Sequence, residues 1–318
     1  MTTRADDPEA TPRGPWVGIA ANAHSGSGRG KRRVGRLTEA LAARGIESRV
    51  AWTPEGRGEL VASADRLGGC LGLVAAGGDG TVAAVCNERP RVPITVLPAG
   101  TENLFARHYG IDGRPERVAE TIVGGRLARL DLGQVDGRRF SLMAGIGFDA
   151  DVVTRHHAAR LGPLGTMRPT NRAAYVQPVL RSSWSYRFPP LTILAEGIDG
   201  AVETLVGATA FLFNLPRYAL GLRFAPSARE DDGWLDLVVF RDPGPFRALR
   251  YLWMVLRGLH LRRAGVYHRR VRRVDVTSAG DVPVQLDGDP GGMLAAPSWS
   301  AEVVPSAVEV LVPANYGR

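Results

Sequence analysis

The sequence predicts an α/β N-terminal domain built on a parallel sheet, followed by a β-rich C-terminal sandwich domain. Three observations predict it. From Trp16 to about Leu130, short apolar strands alternate with helical stretches. The runs Gly72–Ala76 and Ile94–Leu97 are apolar throughout, as strands covered on both faces are. Beyond Leu130, strand-like runs follow one another, parted by Asp-Gly and glycine turn signals. A chain of 318 residues has room for two such domains.

The elements follow in order. Val17–Ala21 reads as a strand and runs into the glycine-rich turn Asn22–Gly30. Arg33–Arg44 sets Val34, Leu37, Leu41 and Ala42 on one helical face, and Gly45 ends it. Glu47–Trp52 reads as a strand and Glu59–Leu67 as a helix. Gly72–Ala76 then leads through Gly77-Gly78-Asp79-Gly80-Thr81 into a helix over Thr81–Cys86, before the strand Ile94–Leu97. In the second domain, strands are expected at Asp131–Val135, Phe140–Gly147, Leu191–Ala195, Val202–Leu215, Trp234–Phe240, Arg273–Ser278 and Val282–Leu286. Helices are expected near Arg172–Arg181 and across Phe246–Leu261. The domains expected are 1–15 as a loose tail, 16–130 with a return of 306–318, and 131–305.

Bulk composition narrows the function less than the motifs do. Lys plus Arg outnumber Asp plus Glu by 40 to 32, a formal charge of +8. That favours a polyanion (nucleic acid, an anionic lipid surface or a phosphorylated ligand) or is only a solvated basic surface. No aromatic-interleaved basic strand or helix-turn-helix pattern supports nucleic acid. The two cysteines, Cys70 and Cys86, form no CxxC or Cys/His cluster and are expected as reduced thiols. No apolar run reaches the roughly 20 residues that span a bilayer, and the polar N-terminus lacks a signal-peptide core. A cytoplasmic protein, peripheral at the inner membrane face, is the expectation. A homodimer is compatible with the sequence.

The chemistry lies in three turns. Gly77-Gly78-Asp79-Gly80-Thr81 joins a buried strand to a helix, where glycines admit a phosphate and helix N-terminal amides stabilise it. Asn22-Ala23-His24-Ser25-Gly26-Ser27-Gly28 and Leu97-Pro98-Ala99-Gly100-Thr101-Glu102-Asn103 also follow strands. All three fall at the carboxyl ends of parallel strands, where α/β sheets bind ligands.

This ordered set resembles the catalytic domain shared by diacylglycerol kinases, sphingosine kinases and related bacterial lipid kinases, whose fold is also like that of NAD kinases. The resemblance runs from about Trp16 to Val312 and includes Asp232-Gly233-Trp234-Leu235-Asp236 and Asp287-Gly288. It implies that ATP, with Mg²⁺, is held by Asn22, Ser25 and Gly26, by Gly77, Gly78, Asp79, Gly80 and Thr81, and by Gly100 and Thr101. Asp79 is also implied in catalysis. Thr53 matches a nucleotide-touching threonine, with a helix cap as the alternative. Asp232-Gly233-Trp234 matches a turn that binds a structural Mg²⁺ in some relatives. The implied ligands are the Asp232 carboxylate and backbone oxygens at Arg229 and Trp234; an acidic hairpin turn is the alternative.

Asp289 stands where the family shows a glutamate that accepts the proton of the lipid hydroxyl, so Asp289 is the implied base, one methylene shorter; a plain hairpin turn is the alternative. Ala83 and Ala84 replace family polar residues, and Glu88 is a candidate substitute for the lost carboxylate. The neighbouring His156 and His157 are expected to be solvated. Phe246, Leu249, Leu252, Trp253, Leu256 and Leu259 share one helical side, followed by an arginine-rich run. Covering the sheet is the favoured role for that helix, docking on anionic lipid the other.

The function expected is transfer of the ATP γ-phosphate to the hydroxyl of diacylglycerol or a similar lipid alcohol. The alternatives are an NAD kinase and a non-catalytic binder of nucleotide or lipid.

Overall fold

The computed structural model describes residues 14–22, 29–162, 172–294 and 298–317. Ser25 and Gly26 lie outside the described residues. The chain forms two compact units, one of residues up to Leu130 and from Ala307 on, the other of Asp131–Ser306.

The first unit contains β1 (Trp16–Ala21), α1 (Arg29–Ala42), β2 (Glu47–Ala51), α2 (Pro54–Arg66), β3 (Cys70–Gly77), α3 (Asp79–Asn87), β4 (Ile94–Pro98), α4 (Leu104–His108) and α5 (Pro115–Gly124). The chain leaves this unit within β5 (Arg126–Val135). The sheet is parallel, in the order β2-β1-β3-β4, and the last residues of the chain's final strand add to β4 with Val310 opposite Ile94. β1 therefore has β2 on one side and β3 on the other, so the strand order reverses there. Val34, Leu37 and Leu41 of α1 are buried; Ala42, set on the same face by periodicity, is exposed. The helices α4 and α5 lie in a stretch the sequence pattern leaves unassigned.

The second unit is a sandwich of two antiparallel sheets. Its elements are β6 (Arg138–Phe140), β7 (Met143–Gly147), α6 (Phe148–Arg160), α7 (Val176–Ser185), β8 (Leu191–Glu196), β9 (Val202–Gly207), β10 (Thr209–Phe213), β11 (Arg217–Tyr218) and β12 (Leu222–Arg223). They continue with β13 (Leu235–Phe240), α8 (Pro245–Leu256), β14 (Val266–Val271), β15 (Arg273–Ser278), β16 (Pro283–Leu286), β17 (Asp289–Met293) and β18 (Trp299–Val312), whose end re-enters the first unit. One sheet runs β14-β13-β10-β7-β16-β17; the other pairs β9, β8, β15 and the start of β18. Leu191, Ile193 and Ala195 of one sheet and Leu235, Leu237 and Val239 of the other meet in one core.

Several expectations are corrected here. Phe140–Gly147 is two strands, because the amides of Ser141, Leu142 and Met143 turn to the Asp287 carboxylate. Val202–Leu215 is also two strands, one in each sheet. The chain crosses at Gly207, where an added Cβ would stand 2.3 Å from Val239. His156 is buried and stacks on Tyr175 with ring centroids 3.8 Å apart, so it is not solvated. Burial lowers its pKa below the ordinary value. The helix expected over Phe246–Leu261 ends at Leu256, and Gly258 follows with φ +65°. Its buried side is Tyr251, Met254 and Val255, whereas Phe246, Leu249, Leu252, Trp253 and Leu256 are exposed. The face expected to cover the sheet therefore points to solvent. Cys70 and Cys86 are not joined in a disulfide. Among the described residues, no helix is long and apolar enough to cross a membrane.

Candidate functional site

The carboxyl ends of β1, β3 and β4 meet at the reversal of strand order, where open α/β sheets bind ligands. At the end of β1, the Asn22 amide donates to the Ala76 carbonyl at 3.0 Å. At the end of β4, the Ala99 amide donates to the Gly77 carbonyl at 2.8 Å. The described parts of the three turns are thus neighbours through β3.

The glycines permit close approach rather than unusual dihedrals. A Cβ on Gly77 would stand 2.0 Å from the Thr81 hydroxyl, which folds back over that backbone. A Cβ on Gly100 would stand 2.6 Å from the Gly78 Cα. Two backbones in such contact exclude any side chain. Gly80 and Thr101 are exposed at the same rim, and Gly78 and Thr81 are half-buried.

Two polar side chains fix this rim, Asn103 within its own turn and Asp79 between two. Asn103, in the left-handed conformation at φ +49°, accepts from the Gly100 amide at 2.8 Å and donates to the Gly100 carbonyl at 2.9 Å. The Asp79 carboxylate accepts from the Leu104 and Phe105 amides, both at 3.0 Å, and so caps α4 from another turn. Burial raises the Asp79 carboxyl above its ordinary value, while those two amides pull it down.

Thr53 is the N-cap of α2, its hydroxyl accepting from the Gly56 amide at 3.1 Å. Glu88 pairs with Arg57 at 2.9 Å, so that carboxylate answers a guanidinium of α2.

In the second unit, Asp287-Gly288 forms a two-residue hairpin between β16 and β17, with φ +53° and +86°. Asp287 is buried and accepts from Ser141 N at 2.7 Å, Ser141 Oγ at 3.0 Å, Leu142 N at 2.7 Å and Met143 N at 3.0 Å. Burial pushes its carboxyl up to about 6 against those donors, so it is ionised at neutral pH. Asp289 opens β17, half-buried, with no hydrogen bond or ion pair to its side chain among the described residues.

Beneath this hairpin, Gln285 Oε1 accepts from the Gly288 amide at 2.8 Å, and its Nε2 donates to Asp149 at 3.0 Å. The Tyr218 hydroxyl donates to the same Asp149 oxygen at 3.1 Å. Burial raises Asp149 to about 6, opposed by those two donors. Asp149, Tyr218 and Gln285 escaped sequence reasoning as site residues. The glycines around Asp149 were a signal for it; Tyr218 carried none.

The turn at Asp232 is not the acidic hairpin weighed from the sequence, because only Gly233 has positive φ, at +75°. The Asp232 carboxylate accepts from the Trp234 amide at 3.1 Å and pairs with the Arg270 guanidinium. Arg229 is exposed, its guanidinium 3.6 Å from Asp231. Nearby, Asp131 accepts from the Gly233 and Ser306 amides, both at 2.6 Å, and Asp236 is held by Ser227 and His268. Among the described residues, no group of three or more His, Cys, Asp or Glu side chains could hold a metal. A hard cation needs carboxylate charge that Arg270 already neutralises. In this arrangement the Asp232 carboxylate, the one side chain expected to hold Mg²⁺ there, answers Arg270.

Residues 17–135 match the family model for the diacylglycerol kinase catalytic domain, and residues 143–312 that for the YegS C-terminal NAD kinase beta sandwich-like domain. The diacylglycerol kinase of Bacillus subtilis is 29% identical over 231 residues, covering 70% of this chain and 72% of that one. The diacylglycerol kinase of Mycobacterium tuberculosis is 29% identical over 249 residues, 76% of each chain. The crystal structure of a diacylglycerol kinase from Bacillus anthracis superposes with a TM-score of 0.68, covering 94% of this chain and 96% of that one. At 20% identity, that likeness shows the fold: an α/β unit with a mainly parallel sheet, then an antiparallel β-rich unit.

Proposed function

The chain belongs to the family that joins a diacylglycerol kinase catalytic domain to a YegS-type β-sandwich, and on that premise we propose that it transfers the γ-phosphate of ATP to a lipid hydroxyl. The observation that carries the reading is the backbone contact of Gly78 with Gly100 at the ends of β3 and β4. Glycine contact at that point leaves a rim of amides, with the N-terminus of α3 among them, suited to a triphosphate. MgATP is the substrate, gripped by the turns at Asn22, Gly78–Thr81 and Gly100–Thr101, with Ser25, Gly26 and Thr53 completing the contacts. Asp79 acts by holding the two turns in register through α4.

Asp289 is the base. Its carboxylate, unpaired among the described residues, accepts the proton of the lipid hydroxyl as that oxygen bonds to the γ-phosphorus and the bond to ADP breaks. Asp287 and the Gln285–Asp149–Tyr218 group fix the hairpin that carries it. Diacylglycerol is the alcohol this reading puts first, from the names of the relatives.

The test is phosphate transfer from labelled ATP to a panel of lipid alcohols, with NAD⁺ as a further acceptor. Transfer to diacylglycerol is expected, with kcat falling about 10²–10⁴-fold in Asp289→Asn and the melting temperature unchanged. NADP⁺ formation with no lipid product would overturn the proposal.

A further inference from the structure

α8 turns an apolar face to solvent. At 100° per residue, Leu252, Leu256, Leu249, Trp253 and Phe246 fall within about 120° of arc. Phe246 is 81% exposed, Trp253 54% and Leu256 56%. The helix cannot roll to hide this face, because Tyr251 on the opposite side is anchored: its hydroxyl donates to Asp242 at 2.9 Å, and the Gly265 carbonyl lies at 3.2 Å. β12 packs beside α8, and at the tip of its hairpin Leu220 is exposed as well.

Charge says what the face meets. Arg250 and Arg257 border the apolar arc on the helix, and Arg257 lies over the Trp253 ring at 5.7 Å. Arg262 and Arg263 follow, both exposed. Between Asp242 and Asp275 the sequence carries nine arginines and no acidic residue; Arg247, Arg269, Arg270 and Arg273 pair with carboxylates, whereas Arg250, Arg257, Arg262 and Arg263 have no ion pair among the described residues. A second protein copy would bring its own arginines to this face and meet repulsion. A bilayer with anionic headgroups matches both properties, with apolar side chains entering the acyl boundary and guanidinium groups at the phosphates.

We propose that α8 is a membrane-docking helix, lying in the plane of an anionic bilayer on its Phe246–Trp253 face. This goes beyond the kinase reading and does not require it.

Flotation with vesicles tests the proposal without ATP, so its outcome is separate from that of the kinase assay. The vesicles are phosphatidylcholine alone, or equal parts phosphatidylcholine and phosphatidylglycerol. Wild type is expected to float with the mixed vesicles and weakly with the zwitterionic ones, less so as salt rises. F246E/W253E and R250E/R257E are each expected to lower the partition at least about tenfold. Their far-UV spectra and melting curves should match wild type, because all four side chains are exposed. Partition of F246E/W253E equal to wild type, equal binding to both vesicle types, or a solution dimer that F246E/W253E dissociates would overturn the proposal.

Discussion

Replacing Asp79 with alanine tests whether that carboxylate acts chiefly as a structural tie. It accepts from the amides of Leu104 and Phe105, each at 3.0 Å. Hydrogen bonds to a charged group contribute about 1.5–3 kcal/mol each, which sets an upper limit near 6 kcal/mol for the pair. Asp79 is half-buried while Leu104 and Phe105 are buried, so the loss falls between the N-cap range and that limit. A loss of about 2–3 kcal/mol is expected for Asp79→Ala, and about half of that for Asp79→Asn, which keeps one acceptor. In thermal melts this appears as a fall of about 5–10 °C for the first unit. Hydrogen exchange should localise the effect, with protection lost at Leu104 and Phe105 first. An Asp79→Ala protein that melts with wild type and keeps those amides protected, yet does not turn over, would refute the tie. Asp79 would then act directly on substrate.

Gly100→Ala places a Cβ 2.6 Å from the Gly78 Cα, so the two turns must part. Calorimetric titration should show ATP affinity at least about tenfold weaker, with far-UV circular dichroism unchanged; wild-type affinity would remove the close-approach argument. Asp149→Asn isolates a pH dependence. The folded carboxyl at about 6 lies above its ordinary 3.8, so the folded state binds more protons between those values and stability falls as pH rises through that window. The asparagine variant lacks this slope, and in urea melts it should gain about 2 kcal/mol on wild type between pH 4.5 and 7. Parallel pH curves for the two proteins would contradict that assignment.

The sequence by itself determined the strands β1 to β4 and the turns that follow β1, β3 and β4, because those are written in neighbouring residues, apolar runs and glycines; α1, α2 and α3 begin at Arg29, Pro54 and Asp79, ahead of the starts that periodicity sets, and α4 and α5 were left unassigned. It also placed Asp287-Gly288 in a tight turn, since few other pairs accept two left-handed residues in succession. What each turn touches was not legible. Asp79 finds its donors 25 and 26 residues ahead, and Asp287 finds Ser141, Leu142 and Met143 some 145 residues behind. No local pattern encodes a partner at that distance. Arg270 beside Asp232 is likewise a meeting of separate segments. In α8 periodicity singled out the Phe246–Leu249–Trp253 side to cover the sheet and passed over Tyr251–Met254–Val255, the side that is buried. Tertiary structure decided between them, because burial depends on which side meets the rest of the fold, and the Tyr251 hydroxyl fixed that choice.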